Sequence, residues 1–332
     1  MVDIRRRELL TLLGGAAATV MRPRPALAQA PSKRPLIAWI SGGARQLGES
    51  FIENFLRGMT DLGYVEGRNF DIVYRFTEGY QERLPAITEE VVRLKPDVIL
   101  ATAAVTTVAA RRATSTIPIV TPALADAVHL GLIASEARPG GNVTGIEPYV
   151  AGLPAKQIEF AREIVPAAGK IGLLTNLADP KAPAQAQELE ASARAAEIKI
   201  VAADANKPDE LDGALRILRE QRVDVVIVLQ TSMLISYAQQ IARAALAERL
   251  PTVYGYREHV IAGGLISYGV DLRWCFYRGA YFVDRILRGT PPGDLPIEFP
   301  TKMFLAVDLK TAGTLGISVK PTLLSLADEV IE

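Results

Sequence analysis

Short apolar runs alternate with segments of helical periodicity along residues 35–332. The run PLIAWI at 35–40 predicts a strand, and the segment after it repeats Phe51, Phe55 and Met59 at the spacing of one helix face. The alternation continues with the strands FDIVYRF, DVILAT, PIVTPAL and NVTGIEP, and with helices expected at 84–94, 105–113 and 128–134. Strands that are apolar throughout, with helices between them, predict a parallel sheet covered on both faces.

The same pattern begins again after Pro148. Its predicted strands are IGLLTN, IKIVAAD, DVVIVLQ, PTVYGY and GLISYG, and its helices are expected at 155–164, 182–196, 209–220 and 233–249. VVRLKPDVILAT and ILREQRVDVVIVLQ, one from each half, both end a helix and open a strand at an aspartate. This partial repeat predicts two similar α/β lobes, as does a length of 332 residues, which exceeds one typical core.

The first thirty residues follow a different pattern. Arginines at positions 5–7 precede an apolar stretch at 9–20, and Ala-Leu-Ala follows at 26–28. This order is typical of a secretory signal, and the paired arginines before two leucines resemble the twin-arginine export type. The apolar stretch is shorter than the roughly 20 residues that a membrane span needs. We therefore predict an export signal at 1–28, cleavage near 28–30, no lipid anchor on a leader cysteine and a mature protein that is not embedded in the membrane.

Charge and reactive side chains exclude several function classes. Lysine plus arginine number 37, as do aspartate plus glutamate, so no basic face for nucleic acid is expected. Cys275 is the single cysteine and falls in the amphipathic segment DLRWCFYRGAYFVDRIL, which predicts a buried thiol. The two histidines, His129 and His259, are too few and too scattered for a metal site.

The motifs of common enzymes do not occur in the sequence. SGGARQLGES follows the first strand but does not fit G-x-G-x-x-G, so we expect no dinucleotide and no other cofactor. A nucleophile elbow, a P-loop and a cluster of cysteine and histidine are also missing. A pair of catalytic carboxylates stays open, and an α/β enzyme is kept as the lower-ranked alternative.

Residues at the carboxyl ends of the predicted strands are the candidates for ligand contact. Open parallel sheets bind ligands at this edge, and two facing lobes would place such edges on the two walls of a cleft. The candidates are Ser41, Gly42, Ala104, Thr106, Asp126, Tyr149, Asn176, Thr231, Tyr256 and Arg257.

Asp126 and Arg257 carry alternative predictions. Asp126 can contact the ligand, or it can cap the helix predicted from Val128. Arg257 can hold a carboxylate through two parallel hydrogen bonds, with helix N-termini adding backbone donors, or it can form a surface salt bridge with Glu258 or another neighbour. The first alternative for Arg257 predicts a small organic acid as ligand, and the tyrosines at 149, 256 and 268 favour an aromatic one.

Three pairs of segments occur in a specific order and spacing: GGNVTGI after DAVHLGLIAS, LGYVEGRNFDIVYRFTEG before KPDVIL, and YGYREHVIAGGLISYGVDLR before RILRGTPPGDLPIEFPTKMFLAVDLKTAGTLGI. Together they resemble the family of ABC-transporter substrate-binding proteins that includes the tryptophan- and tyrosine-type binding proteins. The resemblance covers residues 35–332 and implies a type I periplasmic binding protein fold: two Rossmann-like lobes with parallel sheets, joined by a three-crossing hinge. Lobe 1 is then expected at 34–147 and 270–297, lobe 2 at 148–269 and 298–332, and the crossings near 145–149, 267–271 and 297–301.

The resemblance also implies a function. A periplasmic protein of this family, expected to be a monomer, captures a small-molecule solute and delivers it to an ABC permease and its ATPase. The chain departs from the family pattern at Ala127, at Ala104-Val105 and in the run Gln230-Thr231-Ser232, where many members have proline, Thr-Pro and an acidic residue. These departures reduce the number of polar side chains that would bind an amino acid's ammonium group. The expected solute is therefore a small organic acid or an amino-acid-like molecule. A sensory protein that docks to a receptor shares this fold and is the alternative.

Overall fold

The alternating pattern folds into two β-sheets with helices packed on their faces. The structure is a computed structural model and describes residues 34–332, except Tyr149, Ala151 and the side chain of Leu47. These residues form one compact unit. The predicted export signal and the candidate Tyr149 lie outside the described residues.

The first sheet takes its strands from the first half of the chain. Its elements are β1 (Leu36–Ser41), α1 (Arg45–Asp61), β2 (Asp71–Phe76), α2 (Leu84–Arg93), β3 (Val98–Ala101), α3 (Ala104–Ala113), β4 (Ile119–Thr121) and β5 (Val143–Gly145), with a 3-10 turn at Gln81–Arg83. The strand order is β2-β1-β3-β4-β5 and every pair is parallel. The central strands β1 and β3 are buried, as their continuous apolar sequences predict.

The second sheet begins after residue 151. Its first elements are α4 (Leu153–Ile164), β6 (Lys170–Thr175), α5 (Ala182–Ala195), β7 (Lys199–Asp204), α6 (Leu211–Glu220), β8 (Val225–Val228), α7 (Ser232–Ser236), α8 (Ala238–Ala247), β9 (Thr252–Tyr254), α9 (Arg257–Ile261) and β10 (Ile266–Val270). The chain continues with α10 (Leu272–Leu287), β11 (Met303–Asp308), α11 (Leu309–Leu315), α12 (Pro321–Leu324) and β12 (Glu329–Ile331), and with 3-10 turns at Pro208–Glu210 and Pro292–Asp294. The strand order is β12-β11-β10-β9-β8-β6-β7, and β11 is antiparallel to β10.

The chain passes between the two sheets three times. After β10 it returns to the first sheet through α10, which packs on α1. Glycine is required at position 58 because a Cβ there would lie 2.4 Å from the carbonyl oxygen of Tyr277. The first and third passages run side by side, and the Glu147 N–H donates to the Glu298 carbonyl at 2.9 Å. This bond ties the first passage to the third.

Two helix predictions were wrong. Residues 127–131 form turns rather than a helix, because Asp126 and Gly131 both adopt left-handed φ angles, of 48° and 66°. The helix predicted at 233–249 is interrupted at Tyr237, whose φ of −112° and ψ of 27° separate α7 from α8. The short α9 and the edge strand β12 were not predicted, since neither is long enough to show a period.

Candidate ligand-binding site

A cavity of about 50 Å³ lies between the lobes, at the carboxyl ends of the central strands. The space is several times what a single buried water needs. The first lobe contributes Trp39, Ser41, Gly43, Ala44, Gly48, Phe51, Thr102, Ala103, Ala123, Leu272 and Phe276, and the second contributes Lys181, Thr231, Ser232, Ile235, Ser236, Tyr256 and Glu258. Both walls of the cavity therefore contact whatever occupies it.

Three aromatic side chains form the apolar wall. Phe276 of α10 stacks on Trp39 of β1 with ring centroids 5.4 Å apart, and on Phe51 of α1 with centroids 4.6 Å apart. Trp39 is almost fully buried, and its indole N–H has no hydrogen-bond partner. Because α10 returns from the second lobe's sheet, this wall is complete only after the chain has crossed twice.

Helix N-termini supply backbone donors to the cavity. The N-cap of α1 is Ala44, which has no side-chain acceptor for the N–H groups of the first turn. At α3 the Thr106 hydroxyl accepts from the Ala103 N–H at 3.1 Å. At α7 the Thr231 hydroxyl accepts from the Leu234 N–H at 3.3 Å. The starts of α1 and α3 thus lack a side-chain acceptor for the N–H groups of their first turns, and such helix ends favour an anion.

Lys181 places a buried cation on the second wall. Burial lowers the pKa of its ammonium, while Asp179 and Glu147 act in the opposite direction. Asp179 is fully buried and accepts the backbone N–H of Lys181 at 3.2 Å and of Ser232 at 3.4 Å. Burial raises the pKa of Asp179. Within the described part of the chain, the Lys181 ammonium makes no ion pair shorter than 4 Å.

Glu258 places a carboxyl group on the same wall. It is the second residue of α9, and both carboxylate oxygens are buried without a hydrogen-bond partner. Burial raises the pKa of this carboxyl to about 7, the neighbouring Asp271 adds to the rise, and Arg273 and Arg257 oppose it. The cavity thus contains an unpaired acid as well as an unpaired cation.

The structure brings three predicted site residues, Ser41, Thr231 and Tyr256, to the cavity. Tyr256 is 4% exposed, and burial raises its pKa. Ala104 and Thr106 are buried within α3 behind Ala103, and the Thr106 hydroxyl is used in the helix start.

Gly42 and Asn176 lie where the two lobes meet rather than in the cavity. A Cβ on Gly42 would lie 3.4 Å from the Cβ of Ser232. The Asn176 side-chain oxygen accepts from the Gln81 amide across the cleft at 3.5 Å, and its Nδ2 donates to the Ala205 carbonyl at 3.1 Å. Both residues contribute to contact between the lobes.

Asp126 is exposed and does not line the cavity. Its backbone N–H donates to Glu147 Oε1 at 2.7 Å. The helix-cap alternative for Asp126 was wrong, because no helix follows it and its φ of 48° is not that of an N-cap.

Arg257 points to the edge of the second sheet instead of the cavity. Its Nε and Nη2 donate to the two carboxylate oxygens of Glu329 in β12, the second bond at 2.6 Å. The salt-bridge alternative is the one observed, although the partner is Glu329 and not Glu258. The prediction that this guanidinium holds a ligand carboxylate has no geometric support, because Nε and Nη2 already donate to Glu329.

Sequence reasoning missed Lys181 and Glu258 as site residues. Lys181 was not considered, and Glu258 was considered only as a partner for Arg257. The start of α9 decides which of two adjacent charged side chains faces the cavity, and a helix of this length leaves no periodic signal.

Contacts between the lobes close the cleft beside the cavity. The Tyr237 hydroxyl donates to the Glu78 carbonyl at 2.8 Å. Gly43 faces Ser236 so closely that a Cβ at position 43 would lie 1.7 Å from the serine oxygen. Gly79, with φ of 83°, packs on the Tyr237 ring. The structure is therefore a closed arrangement of the two lobes.

The described residues contain neither a metal-binding cluster nor a membrane-spanning helix. Across residues 34–332, apart from the positions left out, no three histidine, cysteine, aspartate or glutamate side chains form a group that could hold a metal. In the same part of the chain, no helix combines the length and apolarity needed to cross a membrane.

Comparison with known proteins agrees with this architecture. Residues 37–331 match the family model described as ABC transporter substrate binding protein. A tyrosine-binding protein of Clostridioides difficile is 26% identical over 245 residues, which cover 74% of this chain and 70% of that protein. A conserved domain protein from Vibrio cholerae is 27% identical with a TM-score of 0.83, and an ABC domain from Streptococcus pneumoniae in complex with L-Trp is 20% identical with a TM-score of 0.82. Each of these two structures covers 90% of this chain and is itself covered in full. The chain belongs to the ABC transporter substrate-binding protein family, with the type I periplasmic binding protein fold.

Proposed function

We propose that this protein is the solute-binding component of an ABC importer and that it encloses one amino-acid solute between its lobes. The observation that carries the proposal is the interlobe cavity, which is lined by both lobes and contains the Lys181 amine, the unpartnered carboxyl of Glu258 and an aromatic wall. A free amino acid is a small molecule with both charges and one side chain, so its chemistry matches that set.

The carboxylate of the solute has donors in the cavity. The uncapped start of α1 offers backbone N–H groups, and the Lys181 side chain provides a further donor. The Ser232 hydroxyl is buried and has no hydrogen-bond partner. Burial strengthens each of these interactions because water does not compete.

The side chain of the solute would lie against Trp39, Phe51 and Phe276. Such a wall favours an apolar or aromatic side chain, through burial of area and ring stacking. The relative named as a tyrosine-binding protein and the solved structure with L-Trp support the same choice. An organic acid held by Arg257 has less support, because Glu329 already occupies that guanidinium.

Closure is the mechanism of capture that we propose. A solute that touches both walls stabilises the closed form relative to the open form by the difference between its affinities for the two. The permease then recognises the closed form, and its ATPase partner drives transport. No catalytic step is part of this function.

The export signal predicted at 1–28 supports a periplasmic location for the mature protein. We propose that it acts there as a monomer that meets the permease from outside the cytoplasmic membrane. The alternative of a sensory receptor differs in the docking partner and has no observation of its own in its favour.

A thermal-shift screen tests the proposed function. The purified protein is heated with each of the amino acids, with aromatic carboxylic acids and with dicarboxylates, because a ligand that binds the native state raises the melting temperature. A saturable rise with tyrosine, tryptophan or another apolar amino acid is expected. A rise with dicarboxylates alone, or with no compound of the panel, would contradict the proposal.

A further inference from the structure

Glu258 is a buried acid for which the protein provides no partner. It lines the cavity, and neither of its oxygens accepts a hydrogen bond. Its own backbone N–H opposes the rise in its pKa but does not form a hydrogen bond with either oxygen. A carboxylate in this position loses its hydration without compensation, which is costly unless a proton or a cation of the ligand neutralises it.

The neighbouring arginines are engaged elsewhere. Arg257 donates to both oxygens of Glu329, and Arg273 donates to both oxygens of Asp271 at 2.9 and 3.1 Å. Tyr256 and the Cys275 thiol of α10 are also close to Glu258, and neither is a cation. The adjacent His259 has a pKa lowered by burial, and Lys181 of the same wall interacts with Asp179 and Glu147. A positive group of the ligand could therefore pair with the Glu258 carboxylate.

Gln230 does not take over the role of an acid. The family resemblance implies an acidic residue after β8, where this chain has Gln230. The Gln230 amide donates to the Gly255 carbonyl at 3.2 Å, and its backbone is bonded to Gln185. These contacts hold Gln230 within the second lobe, so the acid of the cavity is supplied from α9 instead.

We infer that Glu258 receives the protonated amine of the solute and thereby selects amine-bearing solutes over analogues that carry only a carboxylate. The inference rests on the proposed function, since it assigns one residue of the same cavity to one group of the solute. Binding of an ammonium group supplies the missing hydrogen bonds and holds the carboxyl in its ionised form. Below about pH 7, where burial keeps part of the carboxyl protonated, binding therefore releases a proton.

The test compares two ligands on two proteins by calorimetry. The ligands are L-tyrosine and 3-(4-hydroxyphenyl)propanoate, which differ by the amino group, and L-tryptophan with indole-3-propanoate repeats the comparison. The proteins are the wild type and Glu258→Gln, which keeps the shape of the side chain and removes its charge. We expect the variant to bind the amino acids about 30-fold more weakly and to bind the deaminated acids within about threefold of the wild type, as for loss of a buried charged hydrogen bond.

The outcomes separate the two proposals. Equal loss for both ligands of a pair, or no loss for either, would overturn the role of Glu258 while the proposed function stands. A wild type that binds neither these ligands nor any amino acid of the thermal-shift panel would contradict the proposed function, and the inference with it. Lys181→Met is the comparison variant, because loss of that cation is expected to weaken both ligands of each pair to the same degree.

A second readout does not depend on the ligand. A carboxyl whose pKa is raised by folding from 4.5 to about 7 makes the free protein lose stability as pH rises through that interval. Glu258→Gln is expected to remove this loss, measured by urea unfolding at several pH values. An unchanged pH profile in a folded variant would show that Glu258 is already neutralised within the protein and would overturn the inference.

Discussion

The hydroxyl of Tyr237 donates a hydrogen bond of 2.8 Å to the backbone carbonyl of Glu78, and this bond joins the second lobe to the first. Tyr237 lies between α7 and α8, and its ring also packs on Gly79. Glu78 has a left-handed φ of 55°, so its carbonyl is presented by a fixed turn. The break between the two helices thus serves the closed arrangement of the lobes.

Removing the Tyr237 hydroxyl is expected to weaken solute binding by favouring the open form. Tyr237→Phe loses one hydrogen bond, worth about 1 kcal/mol, so the affinity should fall about fivefold in calorimetry. Tyr277→Phe is the matched control, since its hydroxyl donates to Asp61 at 2.9 Å within the first lobe. Equal effects of the two variants on affinity would contradict a role for Tyr237 in closure.

A methyl group at position 43 is expected to prevent full closure. In Gly43→Ala the Cβ would lie 1.7 Å from the Ser236 oxygen and 2.9 Å from its Cβ. Rotation of the serine relieves the first contact but not the second. We expect affinity to fall about tenfold or more, as for other overpacked contacts, and small-angle scattering to show a larger radius of gyration.

Two further variants control for the effect of the added methyl group. Ser236→Gly in the Gly43→Ala background removes the atoms that clash and should restore much of the affinity. Gly213→Ala in α6, where a Cβ meets nothing within 4 Å, should leave affinity unchanged. Failure of the double variant to recover in a folded protein would mean that Gly43 acts through something other than contact with Ser236.

Arg257 is expected to contribute to stability and not to affinity. The Arg257 and Glu329 side chains are 19% and 26% exposed, so water screens their pair only in part. Arg257→Ala should lower the free energy of unfolding by about 1 kcal/mol, and Glu329→Gln should have little added effect in the double variant. Calorimetry should show solute affinity within about twofold of the wild type. Weaker binding of acids with intact stability would restore Arg257 as a ligand anchor.

His259 is expected to destabilise the fold as pH falls. The ring is 1% exposed, stacks on Tyr254 at 4.5 Å and approaches the backbone of Tyr256 and Leu234 without forming a hydrogen bond. Burial lowers its pKa from 6.5 to about 4. Between these values the unfolded chain binds a proton that the folded chain does not, so about 3 kcal/mol of stability is lost as pH falls from 6.5 to 4.

The comparison with His259→Phe isolates this effect. Phenylalanine keeps the ring and cannot be protonated, so the difference between wild type and variant should grow in favour of the variant as pH falls. The contribution of Glu258 to the free energy of unfolding has the opposite pH dependence over much of this range. Because Glu258 is present in both proteins, its contribution cancels in the difference between them. His129→Phe makes the same substitution at an exposed position and is the control. A constant difference between wild type and His259→Phe would contradict a neutral buried His259.

Much of the fold follows from local patterns in the sequence. The strands β1, β3 and β8 are continuous apolar runs whose side chains are buried on both faces of the sheet. Such runs are typical of the strands of a covered parallel sheet, so the sequence predicts them. Residues 127–131 show the limit of this reasoning. Their apolar spacing suggested a helix, but the left-handed turns at Asp126 and Gly131 prevent it.

The site was predicted less completely because its chemistry depends on contacts distant in sequence. Arg257 and Glu258 are adjacent, yet only the position of Glu329 in β12, 72 residues away, determines that the arginine faces the sheet edge. Thr106 was expected to face the cleft, but its hydroxyl instead accepts a hydrogen bond from the Ala103 N–H at the start of α3. Strand ends identify the edge of the sheet where a ligand binds, but not which polar group remains free there.

Fluorescence of Trp39 tests the central claim, that one solute is held in the cavity between the lobes. The chain contains two tryptophans, Trp39 in the cavity wall and the exposed Trp274, so Trp274→Phe leaves Trp39 as the sole indole reporter. This variant is titrated with L-tyrosine at an excitation wavelength that tyrosine does not absorb, and calorimetry is run in parallel. If the solute lies against Trp39, the Trp39 emission changes saturably and reaches its plateau at one molecule of tyrosine per chain. The affinity from the fluorescence titration should equal the affinity from calorimetry. Binding heats without any change in Trp39 emission would place the solute outside the cavity and contradict the account.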